Sequence, residues 1–295
     1  MFKLIKLIVR LIGWMVQHII ATIILLIVIV TACILGMRLT PLDEFYRARL
    51  YAKAGDYAQA EYWYERGLKS HPNSRWAPQA HYELGVLLLK QKRYKKALGH
   101  LGKSLEQLTG DAKKDALLCV AECYAGLQRW KLAARRYALV AVSYPQDEML
   151  AAKALYHAAK CYEKAGMEGE AGKSYRMVFS NYPTSPYAPK ALLAYGRILE
   201  AKKARERALK QYELLIRRYP DSDEAITARL RIAQIHQAQK RYRDALSMWM
   251  ELVKLAPRIA RSALARQVTA LARRQIAHLK EMLHASGSNA KHVTE

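Results

Sequence analysis

From residue 41 onward, small, large and polar positions recur with helical spacing, and the whole pattern returns about every 37 residues. Six copies align on an alanine: Ala60, Ala97, Ala133, Ala171, Ala208 and Ala245, at gaps of 37, 36, 38, 37 and 37. Twelve positions before each alanine stands a small residue: Ala48, Gly85, Ala121, Ala159, Gly196 and Ala233. Three after the small residue comes a large one: Tyr51, Leu88, Tyr124, Tyr162, Leu199 and His236. Four after the alanine come Tyr64, Leu101, Tyr137, Tyr175, Tyr212 and Trp249. Pro72, Pro145, Pro183, Pro220 and Pro257 follow five of the copies, and Thr109 takes that place in the second.

Residues three or four apart share one face of a helix, so each copy predicts two helices with a small-large seam between them. A Gly or Ala lets the neighbouring helix approach, and a large side chain fills the space beside it. The proline after the second helix forbids its continuation. Gly55 and Gly166 fall where the first helix must turn into the second. A pair of this kind cannot bury its apolar face alone, and stacking on its neighbours solves that problem.

In residue type at the small, aromatic, alanine and proline positions, residues 41–257 resemble the tetratricopeptide repeat. The usual period there is about 34 residues. The extra residues fall after the proline, as in Asn181-Tyr182-Pro183-Thr184-Ser185-Pro186 and Arg218-Tyr219-Pro220-Asp221-Ser222. That longer connection is similar to the variant in bacterial envelope proteins, such as the repeat lipoprotein of the outer-membrane β-barrel assembly machinery and the repeat domain of the Tol-Pal-associated periplasmic protein. The resemblance implies an all-α, right-handed superhelical solenoid of about six helix pairs, whose first helices line a concave face that binds partners.

Residues 1–38 predict a membrane anchor. Ile19 to Met37 carries no charged side chain, and its 19 residues would span about 28 Å as a helix, close to the hydrocarbon core of a bilayer. A cleaved signal normally has a shorter apolar core. Val30-Thr31-Ala32-Cys33 also fits the loose form of a lipid-attachment site, which makes Cys33 a candidate for lipidation. The apolar run continues past it through Ile34, Leu35 and Met37, which favours a permanent transmembrane helix. Lys3, Lys6 and Arg10 place the N-terminus in the cytoplasm and the repeats in the periplasm of a Gram-negative cell. Repeats on the cytoplasmic side, or an outer-membrane lipoprotein, are the alternatives.

Charge sharpens the question of partners. The chain holds 49 Lys and Arg against 25 Asp and Glu, a formal net charge of +24. Such an excess favours acidic partners. Nucleic acid is disfavoured, because the bases are spread over many helix faces and no nucleic-acid module is present. The four cysteines form no metal or disulfide framework, and Cys123 and Cys161 occupy equivalent buried-type slots two residues after the small position. His236 stands at a packing position, while His81 and His157 are expected toward solvent or the groove. No catalytic motif or cofactor-binding loop is recognisable, so the expectation is a protein without enzymatic activity, cofactor or metal.

In the resembled family, residues three before and one, four and five after the small position point into the groove. Carried onto this sequence, those positions include Phe45, Arg49 and Lys53, then Tyr82, Val86 and Lys90, then Tyr156, Lys160, Lys164 and Arg197. They make a basic, aromatic-dotted surface suited to protein segments with acidic side chains. The family's clamp for chaperone C-termini needs Asn where this chain has Arg49 and Val86, so that function is not implied. Residues 258–284 read as a capping helix with an apolar stripe of Ile259, Leu264, Val268, Leu271, Leu279 and Met282, and 285–295 as a disordered tail. The expected protein is a membrane-anchored scaffold in an envelope complex for outer-membrane assembly, secretion or polysaccharide export. A cytoplasm-facing adaptor that recruits an enzyme or protease, or a binder of anionic polymers, remains open beside it.

Overall fold

A computed structural model of the chain describes residues 14–16, 18–31, 41–259 and 263–291, and every regular element among them is a helix. Helix α1 (Trp14–Thr31) is long and apolar enough to cross a membrane, and its side chains are exposed. Cys33 and residues 1–13 lie outside the described residues.

Six helical hairpins follow, the expected all-α repeat architecture. They are α2 (Pro41–Ala54) with α3 (Tyr57–Ser70), α4 (Ala77–Lys90) with α5 (Tyr94–Leu105), and α6 (Gly110–Gly126) with α7 (Trp130–Ser143). The second half has α8 (Glu148–Lys164) with α9 (Glu168–Asn181), α10 (Ala188–Ala201) with α11 (Arg205–Arg218), and α12 (Asp223–Ala238) with α13 (Tyr242–Ile259). Helix α14 (Ala263–Lys291) ends the array. The chain divides into two compact units, residues 1–119 and 120–295, with the boundary inside α6.

The seam inside each hairpin is made by the alanine, the small residue and the residue four after the alanine. All six alanines are fully buried, and so are Tyr64, Leu101, Tyr175, Tyr212 and Trp249 to within a few per cent. At Gly85 a Cβ would stand 2.7 Å from Leu101 Cγ, and at Gly196 it would run into the Tyr212 ring. The large residue three after the small one contributes less than its type suggests. Leu88 and Leu199 are buried there, but Tyr51, Tyr124 and Tyr162 remain partly exposed.

The turn between paired helices has the same form in all six copies. The residue seven after the small position is left-handed: Gly55 (φ 82°), Lys92 (61°), Gln128 (58°), Gly166 (72°), Lys203 (58°) and Lys240 (60°). The next residue donates its N–H back to the carbonyl of the large residue, as in Arg93 N to Leu88 O at 2.9 Å and Met167 N to Tyr162 O at 2.8 Å. This closes orphan carbonyls at the helix end. Four copies hold a side chain in that region, at a cost of about 1–2 kcal/mol each relative to glycine.

The prolines end the second helices only with help from the residue before them. His71, Tyr144, Tyr182 and Tyr219 adopt φ between −129° and −136° and stop the helix. Ala256 precedes Pro257, and there α13 runs on to Ile259. Alanine, the strongest helix former, gives the chain no reason to leave the helix. In α14 the buried face is Val268, Ala272 and Leu279, with Ile276 partly buried beside them. Leu271 and Met282, expected on that stripe, sit on its exposed flank because the true face follows a four-four-three spacing. The side chains of Ile259 and Leu264 lie outside the described residues. The backbone is helical to Lys291, past residue 285 where the sequence suggests a tail to begin, and 292–295 lie outside the described residues.

Two glycine substitutions test the seam with opposite signs. Gly196→Ala drives a Cβ into a buried ring and lowers stability by about 1–3 kcal/mol, less up to ~1 kcal/mol of helix propensity. Gly99→Ala in α5 meets nothing within 4 Å and raises stability by about 0.5–1 kcal/mol. Thermal and urea denaturation of the two variants beside the parent reads both effects.

Candidate partner-binding surfaces

In the first unit, α2 and α4 and the start of α3 enclose a concave pocket of about 420 Å³. Glu83 organises its wall by accepting three bonds. Arg49 Nε donates at 2.8 Å, the Tyr64 hydroxyl at 2.9 Å and Gln79 Nε2 at 3.0 Å. Burial and the Glu83 charge push the Tyr64 hydroxyl well above the usual tyrosine range, so it stays a donor. Tyr82 is pushed up to about 12, mainly by burial. Tyr57, Val86 and Leu87 supply apolar lining, and Lys53 and Lys90 stand exposed at the rim.

The pocket gathers five of the sequence-derived groove residues: Arg49, Lys53, Tyr82, Val86 and Lys90. Phe45 is not among them. It is only 3 % exposed and packs over Gly67, where a Cβ would stand 2.6 Å from Phe45 Cε1. Seven positions after the conserved-pattern alanine, the other copies carry Ser104, Val140, Val178, Leu215 and Leu252, and only the first has glycine. That missing side chain is the hole Phe45 fills, and its signal is present in the sequence. Glu83, Tyr64 and Tyr57 are pocket residues that the groove positions do not include. A buried tyrosine hydroxyl at position 64 needs a partner. Two before the small position only the second copy offers an acid, Glu83.

In the second unit Tyr156 lies among aromatic rings, with centroids 5.8 Å from Tyr175 and His157 and 5.5 Å from Tyr187. Lys160 Nζ is 5.9 Å from its ring centroid. The charge of Arg197 reaches Tyr156, Tyr175 and Tyr212, where it partly opposes the rise in hydroxyl pKa that burial causes. Tyr156, Lys160 and Arg197 thus share one neighbourhood, while Lys164 is an exposed residue at the end of α8. A polar motif repeats here. The residue four after the small position accepts a bond from the aromatic of the second helix: Tyr175 to Glu163 and Tyr212 to Glu200, both 2.5 Å, and Trp249 Nε1 to Gln237 at 3.2 Å.

His81 and His157, expected toward solvent or the groove, are half-buried, as is His100. His81 and His100 face each other with Nδ1 atoms 3.0 Å apart, so one ring donates and the other accepts. His157 stacks on Tyr137 at 5.4 Å. Burial lowers all three pKa values, that of His81 to about 4, with His100 and Lys103 adding to the effect. Cys123 and Cys161 are buried, and burial pushes the Cys161 thiol up to about 11, which leaves it unreactive. Among the described residues no group of three or more His, Cys, Asp or Glu is arranged to hold a metal ion.

Comparison with known proteins gives a consistent result. Residues 45–112 match a tetratricopeptide repeat and residues 116–254 a tetratricopeptide repeat-like domain. YrrB, a solved repeat protein described as having an unusual peptide-binding site, is similar at TM-score 0.50 and 21 % identity, over 67 % of this chain and 96 % of its own. A solved MamA protein is similar at TM-score 0.51 and 18 % identity, over 61 % of this chain and 92 % of its own. No curated protein matches the chain.

Two outcomes follow from the site chemistry. Glu83→Ala leaves the Tyr64 hydroxyl and Arg49 without their acceptor and costs about 1–3 kcal/mol in urea denaturation. Acidification acts through the histidines. Their folded pKa values lie below the unfolded value of about 6.5, so their contribution is full above that pH and is lost as pH falls toward about 4. After discounting for solvent screening, about 1–2 kcal/mol is lost between pH 7 and 4.5. His81→Phe makes the stability profile shallower over that range, and an unchanged slope would contradict this assignment.

Proposed function

The chain belongs to the tetratricopeptide repeat family, and from that premise we propose that it is a membrane-anchored adaptor that holds an acidic protein segment against its first two repeats. The family's architecture is that of a protein-interaction scaffold, and the finer reading rests on one observation: the pocket between α2 and α4. Its floor is apolar and aromatic, through Tyr57, Tyr82, Val86 and Leu87. Arg49 is already committed to Glu83, so Lys53 and Lys90 are the cations on offer. The complementary ligand is a segment with one bulky apolar side chain for the floor and carboxylates on either side of it. A lone exposed lysine contact contributes about 0–1 kcal/mol, so the apolar anchor carries the affinity and the lysines choose the sequence.

The anchor is α1, whose apolar side chains find no cover within the described chain. Lys3, Lys6 and Arg10 favour a cytoplasmic N-terminus and periplasmic repeats. In that setting the adaptor serves an envelope complex for outer-membrane assembly, secretion or polysaccharide export. Repeats facing the cytoplasm would make it a recruiter of a soluble enzyme or protease. Buried Cys161 is shielded from redox chemistry and does not discriminate between the two sides.

Binding of fluorescent peptides to the full chain in nanodiscs tests the pocket. A peptide with an aromatic residue flanked by glutamates binds, and the Lys53→Glu, Lys90→Glu double variant loses about tenfold or more in affinity, with weaker binding at high salt. Equal affinity in the double variant and in a Lys173→Glu control would refute the pocket. A periplasm-dependent reporter fused after residue 295 reads the topology, and activity of a cytoplasmic reporter alone would reverse it.

A further inference from the structure

The two ends of the repeat array are finished differently. At the C-terminal end α14 covers the last hairpin with Val268, Ala272 and Leu279 and turns Arg266, Arg273, Arg274 and Lys280 outward. This is the polar-backed cap a solenoid needs. At the N-terminal end α2 has no such cover among the described residues. Phe45 and Ala48 face inward, yet the outward side carries Tyr46, Leu50 and Tyr51, which are 58 %, 48 % and 37 % exposed. Leu50 is the telling residue. Two positions after the small residue, every other copy is buried: Leu87, Cys123, Cys161, Ile198 and Ile235. Leu50 is therefore a core-type side chain in a core slot, left open. A helix apolar on both sides is normally covered on both.

We propose that the outward face of α2 rests in the headgroup–acyl boundary of the same bilayer that α1 crosses, so that the membrane is the N-terminal cap of the repeats. This rests on the reading of α1 as an anchor. Three observations select the bilayer as the occupant. Residues 32–40 join α1 to α2, and nine residues reach at most about 30 Å, which holds the first hairpin beside the membrane surface. The exposed residues on this side, Tyr46 and Tyr51 with Leu50, are of the amphipathic aromatic and aliphatic kinds that settle at membrane interfaces. The charges on this side are balanced. Asp43 pairs with Arg47 and Glu44 with Arg66, each at 3.0 Å, and both guanidinium groups lie over the Trp63 ring at 5.0 and 5.2 Å. Such long side chains can extend their heads to the headgroups while their stems stay on apolar surface. A neutral, aromatic face suits a zwitterionic surface as well as an anionic one. The pocket between α2 and α4 would then open close to the membrane, where an acidic segment of another membrane-bound protein can reach it.

Photo-crosslinking in phosphatidylcholine nanodiscs tests this on the full chain. Benzoyl-phenylalanine is placed at Leu50, at Tyr46, at the exposed Val142 of α7, and at Ile24 within α1. Circular dichroism confirms that each variant keeps the parent's helix content, as expected for exposed positions. Lipid adducts read by mass spectrometry should form at Ile24, Leu50 and Tyr46, with yields at the last two about fivefold or more above Val142. Adducts at Ile24 but only the Val142 background at Leu50 and Tyr46 would overturn the inference and leave the anchor standing. Absence of adducts at Ile24 would remove the anchor, and this inference with it. Crosslinks from Leu50 to a second copy of the chain in place of lipid would make the face a self-association surface and also overturn it.

Discussion

Every level of this structure depends on one contact inside each hairpin: a large side chain of the second helix lodged against a small residue of the first. Leu101 over Gly85 and Tyr212 over Gly196 leave no room for a single added methyl. Where the small residue is alanine, as at Ala48 or Ala159, it is fully buried under its partner. Close approach at this point fixes the distance between the paired helices, and the left-handed residue seven positions later fixes their reversal. Together they dictate which side of each first helix faces outward. The candidate binding surfaces are a consequence of the packing rather than an addition to it.

The packing side chain is often a tyrosine, and that choice ties the core to the surface chemistry. A phenylalanine would fill the same space, but the hydroxyl has to find an acceptor at the edge of the hairpin. Glu163 and Glu200 provide it four residues after the small position, and Gln237 does the same for Trp249. In the first copy that position is Ala52, and Tyr64 reaches across to Glu83 on α4 instead. The departure has a spatial result. With alanine in place of an acid on α2, the space beside it opens into the pocket, and Glu83 holds Arg49 back as part of the wall. Ala52 thus lines the cavity at the position where Glu163 and Glu200 supply acceptors in later copies.

Much of this was legible in the sequence, because the seam is written in residue types at fixed spacing. The helix pairs, the buried alanines, the structural slots of Cys123 and Cys161, and five residues of the pocket follow from that spacing. What escaped depends on context that spacing does not carry. Phe45 matches the groove position of Tyr82 and Tyr156, but Gly67 on the facing helix draws it inward. The left-handed turns at Lys92, Gln128, Lys203 and Lys240 have no glycine to announce them; the hydrogen bond that closes each helix imposes the conformation. Pro257 looks like its counterparts, yet the residue before it is alanine and the helix continues. In α14 the drift of the 3.6-residue period moves the buried face from Leu271 to Ala272.

Charge follows the same logic of position over composition. What a partner meets differs from the chain's composition, because many acids are committed internally to tyrosines and arginines. Glu83, Glu163 and Glu200 hold tyrosines, Glu61 holds Arg93 with Lys96 nearby, Glu251 pairs with the buried Arg229, and Asp43 and Glu44 hold Arg47 and Arg66. Acids used as acceptors within and between helices cannot also neutralise lysines such as Lys53, Lys90 and Lys160, which extend from exposed faces. The structure therefore divides its charges by position, with these acids and their tyrosine and arginine partners held in the frame and lysines such as Lys53, Lys90 and Lys160 left on exposed faces. A ligand rich in carboxylates meets that surface without competing for the acceptors that hold the repeats together, so its binding need not loosen the fold that presents it.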